Sequence, residues 1–351
     1  MKSIEALSRA CCLCALAVLG APVHADTLDE IREANNACLA AVKTGRVQYI
    51  CESQESETGL SPEAARALAK ALASRPEELA VAMKKVELNL ERRERVAVYF
   101  NAEAGEWKRI SSDLRNLEHM LAKESLPLEK RASLETSNIE LVGGDVLAHF
   151  DSASRCLLVD RQAPLPAGTS PILRSPVPFG VVPDYFFQNI LSSSIEDSST
   201  NGRAVLRVSL EAPEGKRVLE VDPQIGYHCR QLDLYSRAGE LGIRSTFGDY
   251  RLVNGVHFPF AFERSEYNSK GDIKRYQKIV VESAEFNHPL PPDALQLALP
   301  ARVPILGLDR PYQFLLTHDQ MLRVDELRTL IDTEDGGASP TTVPAGAKNG
   351  G

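Results

Sequence analysis

The sequence predicts an α+β protein whose main body is an antiparallel meander curling into a barrel or part of one. Three observations predict it. Six strand-like stretches follow one another from residue 203 onward, short turn signals separate most of them, and the segments before them carry helical spacing instead. Successive strands joined by such turns imply a strongly twisted sheet.

The six stretches are 204–211, 216–222, 227–235, 241–253, 256–267 and 273–286, with turn signals at Glu214-Gly215, Ala238-Gly239, Asn254-Gly255 and Lys270-Gly271. Asn254-Gly255 supplies the positive backbone dihedrals of a type I′ turn, so 249–253 pairs with 256–262. On the second of these strands Val256, Phe258, Phe260 and Phe262 share one face, and His257, Pro259, Ala261 and Glu263 the other. Pro259 has no N–H, which calls for an edge or a bulge at that point.

Upstream, Thr27 to Glu30 form a capping box ahead of Leu28, Ile31, Cys38, Leu39 and Val42, giving one amphipathic helix that ends near Gly45. Helical insertions are expected at 61–83, opened by Ser61-Pro62-Glu63, and at 112–124, with Leu114, Leu117 and Leu121. Hairpins are expected at 94–101 with 107–111 around Gly105, and at 139–142 with 146–150 around Gly143-Gly144. Residues 163–183 hold Pro164, Pro166, Pro171, Pro176, Pro178 and Pro183 interleaved with apolar residues, which reads as an extended apolar loop. A further capping box, Thr317 to Gln320, opens a helix to about Asp332.

Residues 1–25 read as a secretory signal: Lys2 and Arg9, the apolar run Ala10–Ala21, then the small-residue site Val23-His24-Ala25. The expected organisation is a leader, one domain over 26–333 and a polar, disordered tail over 334–351. No later run approaches the length of a transmembrane segment, so an exported protein of the periplasm or extracellular space is expected. A net charge of −8 without a basic cluster argues against nucleic acid as a partner.

The residues carry no catalytic signature. His119, His149, His228, His257, His288 and His318 fall in no zinc spacing, and there is no nucleophile elbow, phosphate loop or dinucleotide turn. No enzyme activity, metal or cofactor is therefore expected. His228 and Cys229 are strand neighbours that point to opposite faces and should not meet. Trp107 is a rim or lid anchor for a ligand, or a core residue at a hairpin. Of Cys38, Cys51, Cys156 and Cys229, the pair Cys38–Cys51 is nearest in sequence; a disulfide there stands against four buried free thiols.

The stretch "VDPQIGYHCRQLDLYSRAGELGIRSTFGDYRLVNGVHFPFAFE" resembles the C-terminal sheet of the outer-membrane lipoprotein carrier (LolA/LolB-like) superfamily, which includes RseB-like periplasmic proteins. The matching residues are Asp222-Pro223, Gly226-Tyr227, Tyr250-Arg251, Gly255-Val256 and Phe258-Pro259. The resemblance covers about 204–310 and, more loosely, the first helix and 94–107. It implies an incomplete antiparallel β-barrel, or half-barrel, with helices covering the concave face, and binding of acyl chains, lipoproteins or other apolar ligands without chemistry. An envelope sensor or structural protein that holds a partner polypeptide in the same concavity is the alternative.

A sheet with one apolar face that closes incompletely must have that face covered by helices or by a ligand. The residues expected on the ligand-binding wall are Leu206, Val208 and Leu210 on one strand and Val256, Phe258, Phe260 and Phe262 on another. The other reading of the same residues is ordinary core packed under helices.

Overall fold

The computed structural model describes residues 28–55, 91–114, 137–152, 155–161, 175–200, 202–307, 313–316 and 318–335. The expected leader, the helical insertion at 61–83, residues 115–124 of the second insertion and the tail beyond 335 lie outside the described residues.

Within them the chain builds one large curved sheet of 15 strands that does not close into a barrel. The six expected strands are all present: β8 (Arg203–Ala212), β9 (Gly215–Asp222), β10 (His228–Tyr235), β11 (Leu241–Val253), β12 (Val256–Tyr267) and β13 (Ile273–Phe286). Each pairs antiparallel with the next. The two expected hairpins are also present, as β2 (Glu91–Asn101) with β3 (Glu106–Asp113) and β4 (Ser137–Gly143) with β5 (Val146–Asp151). Gly105 and Gly144 take the positive φ that their turns require.

Seven further strands lie outside the expected set. β1 (Thr44–Glu55) lies between β2 and β13 and joins the meander to the upstream hairpins. β6 (Cys156–Arg161) pairs with β5, and β7 (Ser192–Thr200) forms one edge of the sheet against β8. The other edge comes from the C-terminal segment, where β15 (Pro304–Gly307) joins β6 in parallel and β16 (Gln313–Leu315) pairs with β15. A separate two-stranded pair, β14 (Leu297–Leu299) with β17 (Gln320–Leu322), follows the same route.

Two expected helices need correction. Residues 112–113 belong to β3. The last helix, α2 (Val324–Asp335), begins later than Thr317 because 320–322 pair as β17, and its reciprocal cap runs from Arg323 N–H to Glu326 Oε2 at 2.7 Å. Asp319, expected at a helix start, instead accepts from Ala301 N–H at 2.7 Å. The first helix, α1 (Leu28–Ala41), is where expected, and buries Ile31, Asn35 and Leu39 at a spacing of four residues.

Strand alternation divides the sheet into two faces, and β4 shows how. Val142 packs with Trp107, Val98, Phe100 and Phe258, whereas its neighbour Leu141 packs with Ala148, Leu157, Leu297 and Leu327. The second set is closed off by β14, β17 and α2 of the C-terminal segment. The first set defines the inner face, which continues on β8 to β10 as Leu206, Val208, Leu210, Leu219 and Val221 under Ile31 of α1.

Gly45 at the start of β1 lies against the rings of Phe100 and Phe286, both fully buried, and a methyl group there would enter those rings. Gly45→Ala is therefore expected to destabilise the fold by about 1–3 kcal/mol through overpacking, read as a lowered midpoint in chemical unfolding.

Candidate functional site

The centre of the inner face is filled by an irregular segment. Residues 175–183 form no helix or strand, yet Val177, Phe179, Val181 and Val182 are all buried. The described part of the expected apolar loop, 175–183, is thus a strap across the sheet, and 163–174 lie outside the described residues. Its Phe179 ring sits among Phe258 at 5.5 Å, Phe100 at 5.8 Å and Phe286 at 5.9 Å, the first two edge-on.

Burying a strap without secondary structure leaves its backbone polar groups to be satisfied individually. Val182 N–H donates to Asn35 Oδ1 at 2.9 Å, and Gly180 C=O accepts from Cys229 N–H at 2.8 Å. Asn35 is 1% exposed and also donates to Ile31 C=O at 2.8 Å. Gly180 has φ of +66°, and a Cβ there would strike the Tyr250 hydroxyl. Tyr250 in turn donates to Cys229 C=O at 2.6 Å. A few polar contacts between α1, β10 and β11 therefore pin the strap.

The residues expected on the ligand wall fall into two groups. Val256, Phe258 and Phe260 lie in the cluster that receives Phe179, while Leu206, Val208 and Leu210 lie in the adjoining cluster beneath Ile31, Val182 and Phe187. All six are buried by the protein's own side chains; Phe262 alone is partly exposed, beside Phe247 at 5.1 Å. Pro259 is opposite Tyr250 and lies beyond the β12–β13 ladder, which begins at Ala261, so its missing N–H leaves no gap there.

Next to the aromatic rings the same face turns polar. Register places Trp107 opposite Phe100 and Val142, and Arg109, two residues on, opposite Val98 and Glu140. The Arg109 guanidinium donates to Glu94 at 2.9 Å and Glu140 at 3.4 Å. Burial opposes its charge, but Glu140, Tyr49 and Glu94 outweigh that and hold its pKa above the usual value. His149 Nδ1 is 3.7 Å from Glu140.

The four cysteines of the described chain are free thiols. Cys51 lies seven residues along β1 from Thr44, about 23 Å at 3.3 Å per residue, whereas Cys38 is within one turn of the end of α1. That separation keeps the expected candidate pair unbridged. Cys51 accepts from Gln277, and burial pushes its thiol pKa up. His228 and Cys229 part as expected. Cys229 Sγ turns to Gln231 C=O, and His228 meets Cys38 instead, with Nε2 at 3.3 Å from Sγ and Nδ1 at 2.5 Å from Ile225 C=O. That carbonyl fixes the proton on Nδ1 and leaves Nε2 to accept from the thiol. Among the described residues no three His, Cys, Asp or Glu side chains gather in a metal-holding group, and no helix is long and apolar enough to cross a membrane.

Sequence reasoning missed Asn35 and the Cys38–His228 contact. The helical spacing of Ile31, Asn35 and Leu39 was a signal for the first, since an amide on a buried helix face needs a partner.

No family model and no curated protein matches the chain. Among solved structures it is similar to an outer membrane lipoprotein-sorting protein domain from Vibrio parahaemolyticus, with 10% identity, 76% of this chain and 94% of that one covered, and a TM-score of 0.41. It is also similar to a DUF1329 family protein from Desulfovibrio piger, with 7% identity, 76% and 97% coverage and a TM-score of 0.39. A LolA superfamily protein from Nitrosomonas europaea is similar at 12% identity, with 76% and 96% coverage and a TM-score of 0.37.

Burial, the main cause, and the charge of His257 hold the pKa of His228 down at about 4, against 6.5 for a free imidazole, and burial lowers His257 too. A folded pKa below the unfolded one favours the folded state above 6.5 and is lost as pH falls from about 6.5 to about 4. Acidification across that window is expected to remove about 3 kcal/mol of stability through His228. His228→Gln should flatten the acid limb of a pH series of unfolding midpoints.

Proposed function

We propose that this chain is an exported, carrier-like binding protein of the cell envelope that holds an acyl chain, a lipoprotein or another apolar ligand on the inner face of its sheet, without catalysis. The observation that carries this reading is the strap. The aromatic centre of a large open sheet is covered by an irregular segment held by a few hydrogen bonds, where a permanent core would have a packed helix or second sheet.

Magnitudes support exchange between strap and ligand. Burying Val177, Phe179, Val181 and Val182 contributes about 1.5–3 kcal/mol each, roughly 6–12 in all. An acyl chain of about sixteen carbons in the same place gains about 13 kcal/mol gross, at about 0.8 per methylene. The two nearly balance, which suits a protein that both loads and unloads.

On this reading Val256, Phe258 and Phe260 are the wall of the ligand site, Phe262 is its rim, and Leu206, Val208 and Leu210 extend it under α1. The seat already accepts extended polypeptide, in the form of the strap, which supports a partner protein's segment as the second reading.

Asn35→Ala removes the acceptor of Val182 N–H without touching the wall, at a cost of about 1–3 kcal/mol. The exported protein should carry acylated species in native mass spectrometry with lipid extraction, and Asn35→Ala should take up a fluorescent fatty-acyl probe faster than wild type. A ligand-free mass, with no uptake by either protein, would make the rings permanent core and move attention to protein partners.

A further inference from the structure

Trp107 is the only tryptophan of the chain, and its indole is 8% exposed. Its Nε1–H is buried and finds no acceptor among the described residues. Two other buried donor atoms without a hydrogen bond, Nε of Arg46 and Arg264, belong to guanidinium groups with further N–H donors to spend. An indole has one donor. Among the described residues Trp107 is therefore wholly unsatisfied, and such a group calls for a partner that arrives from elsewhere.

Its position says what that partner is attached to. Trp107 lies on β3 opposite Phe100, one of the rings that hold Phe179, and opposite Val142, all in one apolar cluster. The strap supplies a ring to this cluster but no acceptor to Trp107, so it imitates only the apolar part of a ligand. Two residues along the same face, Arg109 stands between Glu94 and Glu140. With Arg109 ionised between two carboxylates, the trio carries a net charge of −1, and Tyr49 takes a further share of the guanidinium's donors. A third carboxylate brought alongside by a ligand would meet repulsion and few donors; an uncharged acceptor meets neither obstacle.

We propose that Trp107 Nε1–H is the polar anchor of the apolar site, and that the ligand presents to it a neutral carbonyl, an ester or amide, and not a free carboxylate. This rests on the reading of the inner face as a ligand site and adds the head-group chemistry to it.

Three probes of matched length separate the contributions: methyl oleate, ionised oleate and 1-octadecene, with binding followed by displacement of a fluorescent acyl probe. Wild type is expected to bind the ester roughly five- to tenfold more tightly than the hydrocarbon, the equivalent of one neutral hydrogen bond. It should also bind the ester more tightly than oleate. Trp107→Phe should bind ester and hydrocarbon alike, and Glu140→Gln, which neutralises the trio, should narrow the gap between ester and oleate. A brominated methyl stearate should quench the fluorescence of Trp107 in wild type, a test that holds even where Trp107→Phe does not fold. An unchanged ester preference in Trp107→Phe, oleate bound as tightly as the ester, or no quenching by a bound brominated ester would overturn the inference while leaving an apolar site in place. Failure of wild type to bind any of the three probes would overturn the site reading and the inference together.

Discussion

A curved sheet with an apolar inner face has to be covered, and in this protein the cover over its aromatic centre is a strap with no secondary structure of its own. Everything around the site follows from that constraint. Helices and strands satisfy their backbone groups internally, so they can be laid over apolar surface without further provision. A strap cannot, and each buried polar group on it needs a named partner. Asn35 on α1 supplies one, the start of β10 another, and Gly180 gives the backbone the left-handed turn that lets Tyr250 approach. The polar side chains at this junction are thus consequences of covering a hydrophobic face with irregular chain.

The same constraint explains why the junction is sensitive to acid. His228 is buried between α1 and β10, with Cys38, Tyr250 and His257 around it and the Ile225 carbonyl holding one ring nitrogen. Burial disfavours its charged form there. Protonation would put a charge opposite an Asp222 carboxylate that Arg230 already pairs, close to the strap's own attachment at Cys229. Stability and strap attachment are therefore coupled through one titrating group. On the other flank the polar row of Glu94, Arg109 and Glu140 keeps its charges paired, so that the inner face passes from aromatic to polar within two residues of β3.

The sequence revealed those parts of the fold whose pattern is local. β8 to β13 announced themselves by alternation and turn chemistry, and Asn254-Gly255 fixed the register of β11 with β12. β7 could not be found that way: "SSSIEDSST" is an exposed edge strand with almost no apolar alternation to read. β1 did alternate at Val47, Tyr49 and Cys51, but lay next to a helix and away from the meander it completes. The last helix was placed too early because Thr317 to Gln320 has the form of a capping box, and pairing of β17 with β14 overrode that local preference. The wall residues were legible as an apolar face. That Phe179, some eighty residues away in sequence, fills the centre of this face depends on long-range packing that no local pattern encodes.

The central claim is that an apolar ligand and the strap compete for one place, and amide hydrogen exchange of the segment 175–183, with and without saturating acyl ester, tests it most directly. If the ligand takes the seat of Phe179, the amide of Val182 and that of Cys229, which donates to the strap, lose protection as it binds, while β12 around Phe258 keeps or gains it. Binding at saturation with the strap's protection unchanged would contradict the account and place the ligand elsewhere on the protein.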